Sequence, residues 1–218
     1  MSGYTAVIVE PRRHPALPFV LQNVVSQLSS EWKILIFHGK DNKDYVNSII
    51  GQLDSSRFLP PIALDTPNLS LEQYNQLLMS QAFYRSIPTE TMLIFQTDTL
   101  ILEPTQLEEF LEYDYVGAPW KSGIVGNGGL SLRKKSKMLS VIAAVVPFNV
   151  NEDVYFSRQS VVSLKKPSFE AAKRFAVETV FYPSPFGIHA PWKHVTPHQM
   201  EELTKKYPAI HELIHLHY

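Results

Sequence analysis

The segment Thr91-Met-Leu-Ile-Phe-Gln-Thr-Asp-Thr-Leu-Ile-Leu102 constrains the fold of this chain more than any other. It is apolar on both sides of one polar step, Gln96-Thr97-Asp98-Thr99, and too short for a buried helix. Such a run reads as a strand covered on both faces, the environment of a parallel sheet between helices. Thr5-Ala-Val-Ile-Val9 and Trp32-Lys-Ile-Leu-Ile-Phe37 read as two more strands, the first leaving through the polar Glu10-Pro-Arg-Arg-His14. Between them Leu17, Val20, Leu21, Val24, Val25 and Leu28 recur at helical spacing, with Pro15 and Pro18 near the start, where proline is tolerated. Phe58 to Asp65 reads as a short strand with proline at its edge. Ser70-Leu-Glu-Gln73 reads as a capping box opening a helix through about Ser86. Strands alternating with helices predict an α/β fold with a mostly parallel central sheet flanked by helices.

The second half has a different texture. Tyr113 to Trp120 is aromatic and turn-rich, Gly128 to Arg133 reads as a strand, and Ser136 to Val146 as a helix. Asn151 is placed to cap a helix beginning Glu152-Asp153, and the chain from Pro197 reads as helical, broken at Pro208. With 218 residues the expectation is a single domain, 1–218, with one full core. The net charge of -1 gives no electrostatic reason to expect nucleic-acid binding. There is no cysteine, which excludes disulfides, thiolate zinc sites and cysteine nucleophiles, and fits a reducing compartment. The N-terminus, Met1 to Glu10, has no basic region, and its apolar run is too short for a signal peptide. The longest apolar run, Val141 to Phe148, is far below the ~20 residues of a membrane span. A soluble, unanchored, cytoplasmic chain is expected.

Five groups of residues carry chemistry. An aspartate ending a buried strand must be hydrogen-bonded or hold a cation, and in open α/β sheets ligands lie beyond the carboxyl ends of the strands. Asp98 therefore reads as a ligand of Mn²⁺ or Mg²⁺ against a diphosphate, or as the cap of the following turn. In Asn151-Glu152-Asp153 one carboxylate reads as a general base, or both as ordinary acids at a helix start. Gly126-Asn127-Gly128-Gly129 is neither the dinucleotide fingerprint nor a P-loop; it allows close backbone approach to a ligand, or forms a tight turn into a strand. In Gly187-Ile-His-Ala-Pro-Trp-Lys193, His189 reads as a metal ligand, Lys193 as a phosphate contact and Trp192 as a plate for a sugar, or the whole as a surface loop. Finally, His211-Glu212-Leu-Ile-His215 matches the zinc-peptidase helix signature. Only Leu216, His217 and Tyr218 follow it as a source of a downstream third ligand, so the favoured alternative is an amphipathic helix with solvent-facing histidines.

Taken together and in order, Val9-Glu-Pro-Arg12, Tyr74-Asn75, Phe95-Gln-Thr-Asp-Thr99, Tyr113-Asp-Tyr-Val-Gly-Ala-Pro-Trp120, Gly126-Asn-Gly-Gly-Leu-Ser-Leu-Arg133 and Asn151-Glu-Asp-Val-Tyr155 resemble a glycosyltransferase-like family of formally unknown function. That family is similar to the GT-A nucleotide-diphospho-sugar transferases, and the resemblance runs from about Val7 to Trp192. It implies a GT-A-like fold with a nucleotide-binding half at about 1–102 and an acceptor-side half at about 103–218. It further implies a metal-dependent hexosyl- or pentosyltransferase that takes a nucleoside-diphosphate sugar and a glycan or other hydroxyl acceptor, and inverts configuration. By position, Gln96-Thr97-Asp98 resembles the Asp-x-Asp metal motif with Gln96 in place of its first acid. Asp98 and His189 are then the metal ligands, Asp153 the base, and Glu152 its acidic neighbour. Arg12, Arg13, Tyr74, Asn75, Gln96 and Lys193 are expected on the nucleotide and its phosphates. Trp120, Asn127, Gly128, Gly129 and Trp192 are expected on the sugar or acceptor. A catalytically silent nucleotide- or sugar-binding module of the same fold is the main alternative, with a zinc peptidase behind it.

Overall fold

The computed structural model describes residues 3–146 and 149–218; Met1 and Ser2 of the N-terminal reading, and Pro147 and Phe148 of the longest apolar run, lie outside these. Strand β1 (Tyr4–Glu10) pairs in parallel with β2 (Trp32–His38) over its whole length. Beyond β2 lies the short β3 (Ile62–Ala63), also parallel, and on the other side of β1 the parallel β4 (Thr91–Ile94). Two later strands complete the sheet: β7 (Ser131–Lys134) runs antiparallel to β4, and β6 (Tyr115–Gly117) antiparallel to β7. The order is β3-β2-β1-β4-β7-β6, so the two halves of the sequence share one mixed, mostly parallel sheet.

Alternation along the strands sends side chains to two separate cores. Ala6, Ile8, Ile34 and Ile36 face one side with Leu17, Val20, Leu21 and Val24 of α1 (Leu17–Gln27). Val7, Val9, Leu35 and Phe37 face the other with Phe83, Tyr84, Met138, Tyr155 and Phe156. The helix α2 (Lys43–Gln52) buries only Val46 and Ile49 and is otherwise mostly polar, so it offers few apolar residues to mark it and the sequence reading missed it.

Two expected elements are each divided. The run from Thr91 is not one strand: β4 stops at Ile94, and β5 (Thr99–Ile101) belongs to a second sheet, ordered β5-β9-β8, with β8 (Ala176–Val177) and β9 (Gly187–His189). The polar step forms a turn in which the Thr99 hydroxyl and amide both donate to the Gln96 carbonyl, at 2.8 and 3.2 Å. Asp98 thus sits in a turn beyond the carboxyl end of β4, rather than on the strand itself. The helix from Ser70 is likewise two, α3 (Leu71–Leu78) and α4 (Gln81–Ser86). The Ser70 capping box is present; Ser80 breaks the helix by donating to the Leu77 carbonyl and accepting from the Phe83 amide.

The remaining helices are α5 (Lys135–Ala144), α6 (Glu152–Arg158), α7 (Phe169–Phe175), α8 (Pro197–Lys206) and α9 (Ala209–His215). Asn151 does not cap α6 with its side chain; Asn75 of α3 reaches across and accepts from the Glu152 amide at 3.0 Å. Helix α9 buries Ile210 and Leu213 and leaves His211, Glu212 and His215 exposed, an amphipathic pattern. Among the described residues no helix is long and apolar enough to cross a membrane.

Candidate functional site

A cleft of about 400 Å³ opens at the carboxyl ends of β1 and β4. Its walls carry Glu10, Arg12, His14, Asn68, Leu69, Leu71, Tyr74, Gln96, Asp98, Lys193 and His217. Arg12 is held by Glu10 through two side-chain bonds of 2.8 Å. Gln96 is oriented at both ends: its amide donates to the Tyr74 hydroxyl at 2.9 Å, and its carbonyl lies 3.2 Å from His189 Nε2.

Asp98 Oδ1 is 3.3 Å from the same Nε2, and Asp98 Oδ2 accepts from Lys193 Nζ at 3.1 Å. Burial pushes the Asp98 carboxyl up, but the His189 and Lys193 contacts outweigh it and hold the group well below the usual carboxylate range. Burial lowers His189 in turn, while Asp98 on one side and Glu178 on the other push it up to about 9. Glu178 Oε1 lies 3.3 Å from His189 Nδ1 and accepts from Asn127 Nδ2 at 2.8 Å. Its other oxygen, Oε2, is buried without a hydrogen-bond partner. Glu178 was absent from the sequence reading, although a lone acid inside Phe175-Ala-Val-Glu-Thr-Val180 is itself a signal, because a buried carboxylate needs a partner.

Asp98, Gln96 and His189 are the residues here that could hold a hard divalent cation, once His189 gives up the proton its two acidic neighbours favour. Asp98 Oδ1 and Gln96 Oε1 converge on one imidazole nitrogen, and a carboxylate behind the other nitrogen is the usual support for a metal-binding histidine. Among the described residues no group of three or more His, Asp or Glu side chains is arranged to hold a metal, and the exposed His211, Glu212 and His215 form no such group either.

The Gly126–Gly129 loop joins this cluster to α6. Its glycines serve side chains of the protein itself: a Cβ on Gly129 would overlap the His189 ring, and one on Gly128 would overlap the Glu152 carboxylate. Asn127 Oδ1 accepts from the Gly129 amide at 3.0 Å and shapes the turn. On the α6 side Asp153 accepts from the Val154 amide at 2.7 Å and the Gly128 amide at 3.3 Å. Burial, then the neighbouring Glu152 charge, raises its pKa to about 6. Adjacent residues of one loop thus touch Asp153 and His189.

Glu152 has a different setting. It is buried and forms a two-pronged pair with the fully buried Arg133, at 2.8 and 2.9 Å. Arg133 also donates to Ser131 Oγ and the Tyr84 hydroxyl and lies over the Tyr115 and Phe156 rings.

Of the expected nucleotide contacts, Arg12, Tyr74, Gln96 and Lys193 line the cleft; Arg13 is exposed away from its walls, and Asn75 is spent on capping α6. Trp120, Asn127, Gly128, Gly129 and Trp192 do not line it. Trp120 belongs to the turn closed by its amide on the Ile124 carbonyl, and Trp192 packs 5.7 Å from the His217 ring. His14 and His217, whose rings are 4.8 Å apart, were not anticipated; they reach the cleft from remote parts of the chain.

Solved structures resemble this architecture over 70% to 98% of the chain. The apo-form glycosyltransferase GlyE of Streptococcus pneumoniae TIGR4 matches 98% of this chain and 63% of its own, with a TM-score of 0.60 at 10% identity. TarS 1-349 of S. aureus, in complex with UDP-GlcNAc, matches 97% and 66%, with a TM-score of 0.57 at 11% identity. The mannosyltransferase PcManGT of Pyrobaculum calidifontis, in complex with GDP-Man and Mn2+, matches 70% and 49%, with a TM-score of 0.52 at 14% identity. The chain therefore spans less than two thirds of the length of each. At these identities the likeness shows the fold, that of the GT-A glycosyltransferases. No curated protein matches the sequence. One family profile, described as protein of unknown function (DUF5672), matches residues 62–189, more than half the chain, and the protein belongs to that family.

Proposed function

We propose that this chain is a metal-dependent, inverting glycosyltransferase acting on a nucleoside-diphosphate sugar. One observation carries the reading: Gln96 and Asp98 in the wall of a cleft at the carboxyl ends of parallel strands both meet His189 Nε2, and of two adjacent loop residues Gly129 packs on His189 while the Gly128 amide donates to Asp153. Asp98 and His189, with Gln96 beside them, would hold Mn²⁺ or Mg²⁺, which supplies charge to stabilise the leaving diphosphate. Lys193 and Arg12 add cationic contacts to that diphosphate. The Asn68–Leu71 side of the cleft, with Leu69 and Leu71, receives the base. Glu178 keeps His189 oriented with Nε2 toward Asp98, and Gly129 gives the ring its room.

Asp153 takes the proton from the acceptor hydroxyl on one carboxylate oxygen. With a pKa near 6 it is ionised at neutral pH yet basic enough to accept. The hydroxyl oxygen attacks the anomeric carbon opposite the leaving diphosphate, and this single displacement inverts configuration. Glu152 positions α6 through Arg133 and takes no proton.

The silent binding module is the second reading, favoured by Gln96 standing where the family motif has an acid and by the lack of a three-ligand cluster among the described residues. Titration of UDP and GDP, with and without Mn²⁺, tests the metal site. The expected result is a Mn²⁺-dependent gain in affinity that Asp98→Ala abolishes. Metal-independent binding unchanged in the variant would refute it. Turnover of a nucleotide sugar then separates enzyme from binder.

A further inference from the structure

We propose that a second cavity, of about 560 Å³, binds the acceptor, and that this acceptor carries an anionic group, phosphate or carboxylate. The proposal rests on the transferase reading above and adds the place and chemical class of its second substrate. The cavity lies between the turn at Gly123-Ile124-Val125 and the end of α6, and its size is that of ordinary small-molecule sites.

Its position follows from the glycine loop. Gly129 packs on His189 beside the donor cleft, Gly128 packs on Glu152 and donates its amide to Asp153, and Gly126 packs on Ser157, so the loop runs along α6 to the cavity. Asp153 and Ser157 are four residues apart on that helix and share one face, about one turn of ~5.4 Å apart. A hydroxyl compound in the cavity therefore starts one helical turn from the proposed base, at the far end of the loop from the cleft.

Its chemistry follows from the lining. Arg158 and Lys166 face it and, among the described residues, no acidic one does. Arg158 is exposed and forms no ion pair among the described residues. Lys166 is half-buried, donates only to the Ser157 carbonyl at 2.6 Å, and has its pKa lowered by burial, as expected of an ammonium lacking a counter-ion. The next lysine, Lys165, is by contrast paired with Glu112. Val125, Ile124 and Phe169 give an apolar floor suited to the C–H face of a sugar.

The test titrates glucose 6-phosphate, glucuronate and glucose into the full chain, alone and in the presence of UDP with Mn²⁺. Saturable binding of an anionic sugar, at least about tenfold tighter than glucose, is expected, and the tighter of the two names the group. Arg158→Ala and Lys166→Met should each weaken it about tenfold, with an unchanged melting temperature and unchanged UDP affinity. Equal binding of glucose, no saturable binding, indifference to both variants, or displacement by UDP would overturn the proposal. Displacement would assign the phosphate to the donor cleft. Failure of the donor reading is visible separately, as absence of Mn²⁺-dependent UDP binding while the anionic-sugar titration stands.

Discussion

Replacing Glu152 by Gln should destabilise the protein severely, because it removes the countercharge of an arginine with no access to water. Arg133 is 0% exposed and cannot lose its proton, so the charge stays in the interior. Breaking one side of a buried pair costs roughly 3–5 kcal/mol. Two features soften the loss: Arg133 keeps its bonds to Tyr84 and Ser131 at 3.0 and 2.9 Å, and it keeps the Tyr115 and Phe156 ring faces. Gln retains one acceptor as well, so a net cost of about 3 kcal/mol is expected. For a chain of this size that lowers the melting temperature by roughly 6–12 °C. Urea denaturation of Glu152→Gln, Arg133→Met and the double variant measures it. The double variant should be more stable than Glu152→Gln, since no unpaired charge remains. A loss below about 1 kcal/mol in Glu152→Gln, or simple additivity in the cycle, would refute the structural role and return Glu152 to the list of proton acceptors.

Asp153→Asn should cut turnover by ~10²–10⁴-fold with nucleotide affinity nearly intact, and a rate unaffected by the change would remove Asp153 as the base. The same substitution should stabilise the fold at pH 8. The native carboxyl, with its pKa near 6, keeps a proton between about pH 4 and 6 that the unfolded chain has released, so the wild type loses stability as pH rises through that window. Less the lost acceptor for a backbone amide, the gain is about 1–2 kcal/mol at pH 8 and vanishes near pH 4, as read by thermal melts at the two pH values. Wild-type turnover should correspondingly rise with pH to a plateau above about 6. Gly129→Ala drives a methyl into the His189 ring and should weaken Mn²⁺-dependent UDP binding more than it lowers the melting temperature. His215→Ala should leave metal content, UDP affinity and melting temperature unchanged, the residue being exposed; a tightly held zinc lost on this substitution would reverse that reading.

Local pattern alone was enough for the strands Tyr4–Glu10 and Trp32–His38, helix α1 and the Ser70 capping box, because each is decided by neighbours a few positions away. Gln96, Asp98, His189 and Lys193 were singled out from residue type and order, and the structure brings their side chains into mutual contact. What one dimension could not contain is which side chains are already spoken for. Asn75 looked free to hold a nucleotide and instead caps a helix 77 residues away; Glu152 looked like a rival of Asp153 and is neutralised by Arg133. The glycines of 126–129 read as room for a ligand, but the room is taken by His189, Glu152 and Ser157. Glu178, His14 and His217 enter the site through contacts between remote segments, which depend on how the two sheets and the terminal helices pack. Periodicity reports which face of an element is apolar; the pairing of a buried charge is settled only when the chain has folded and each such group must find its partner.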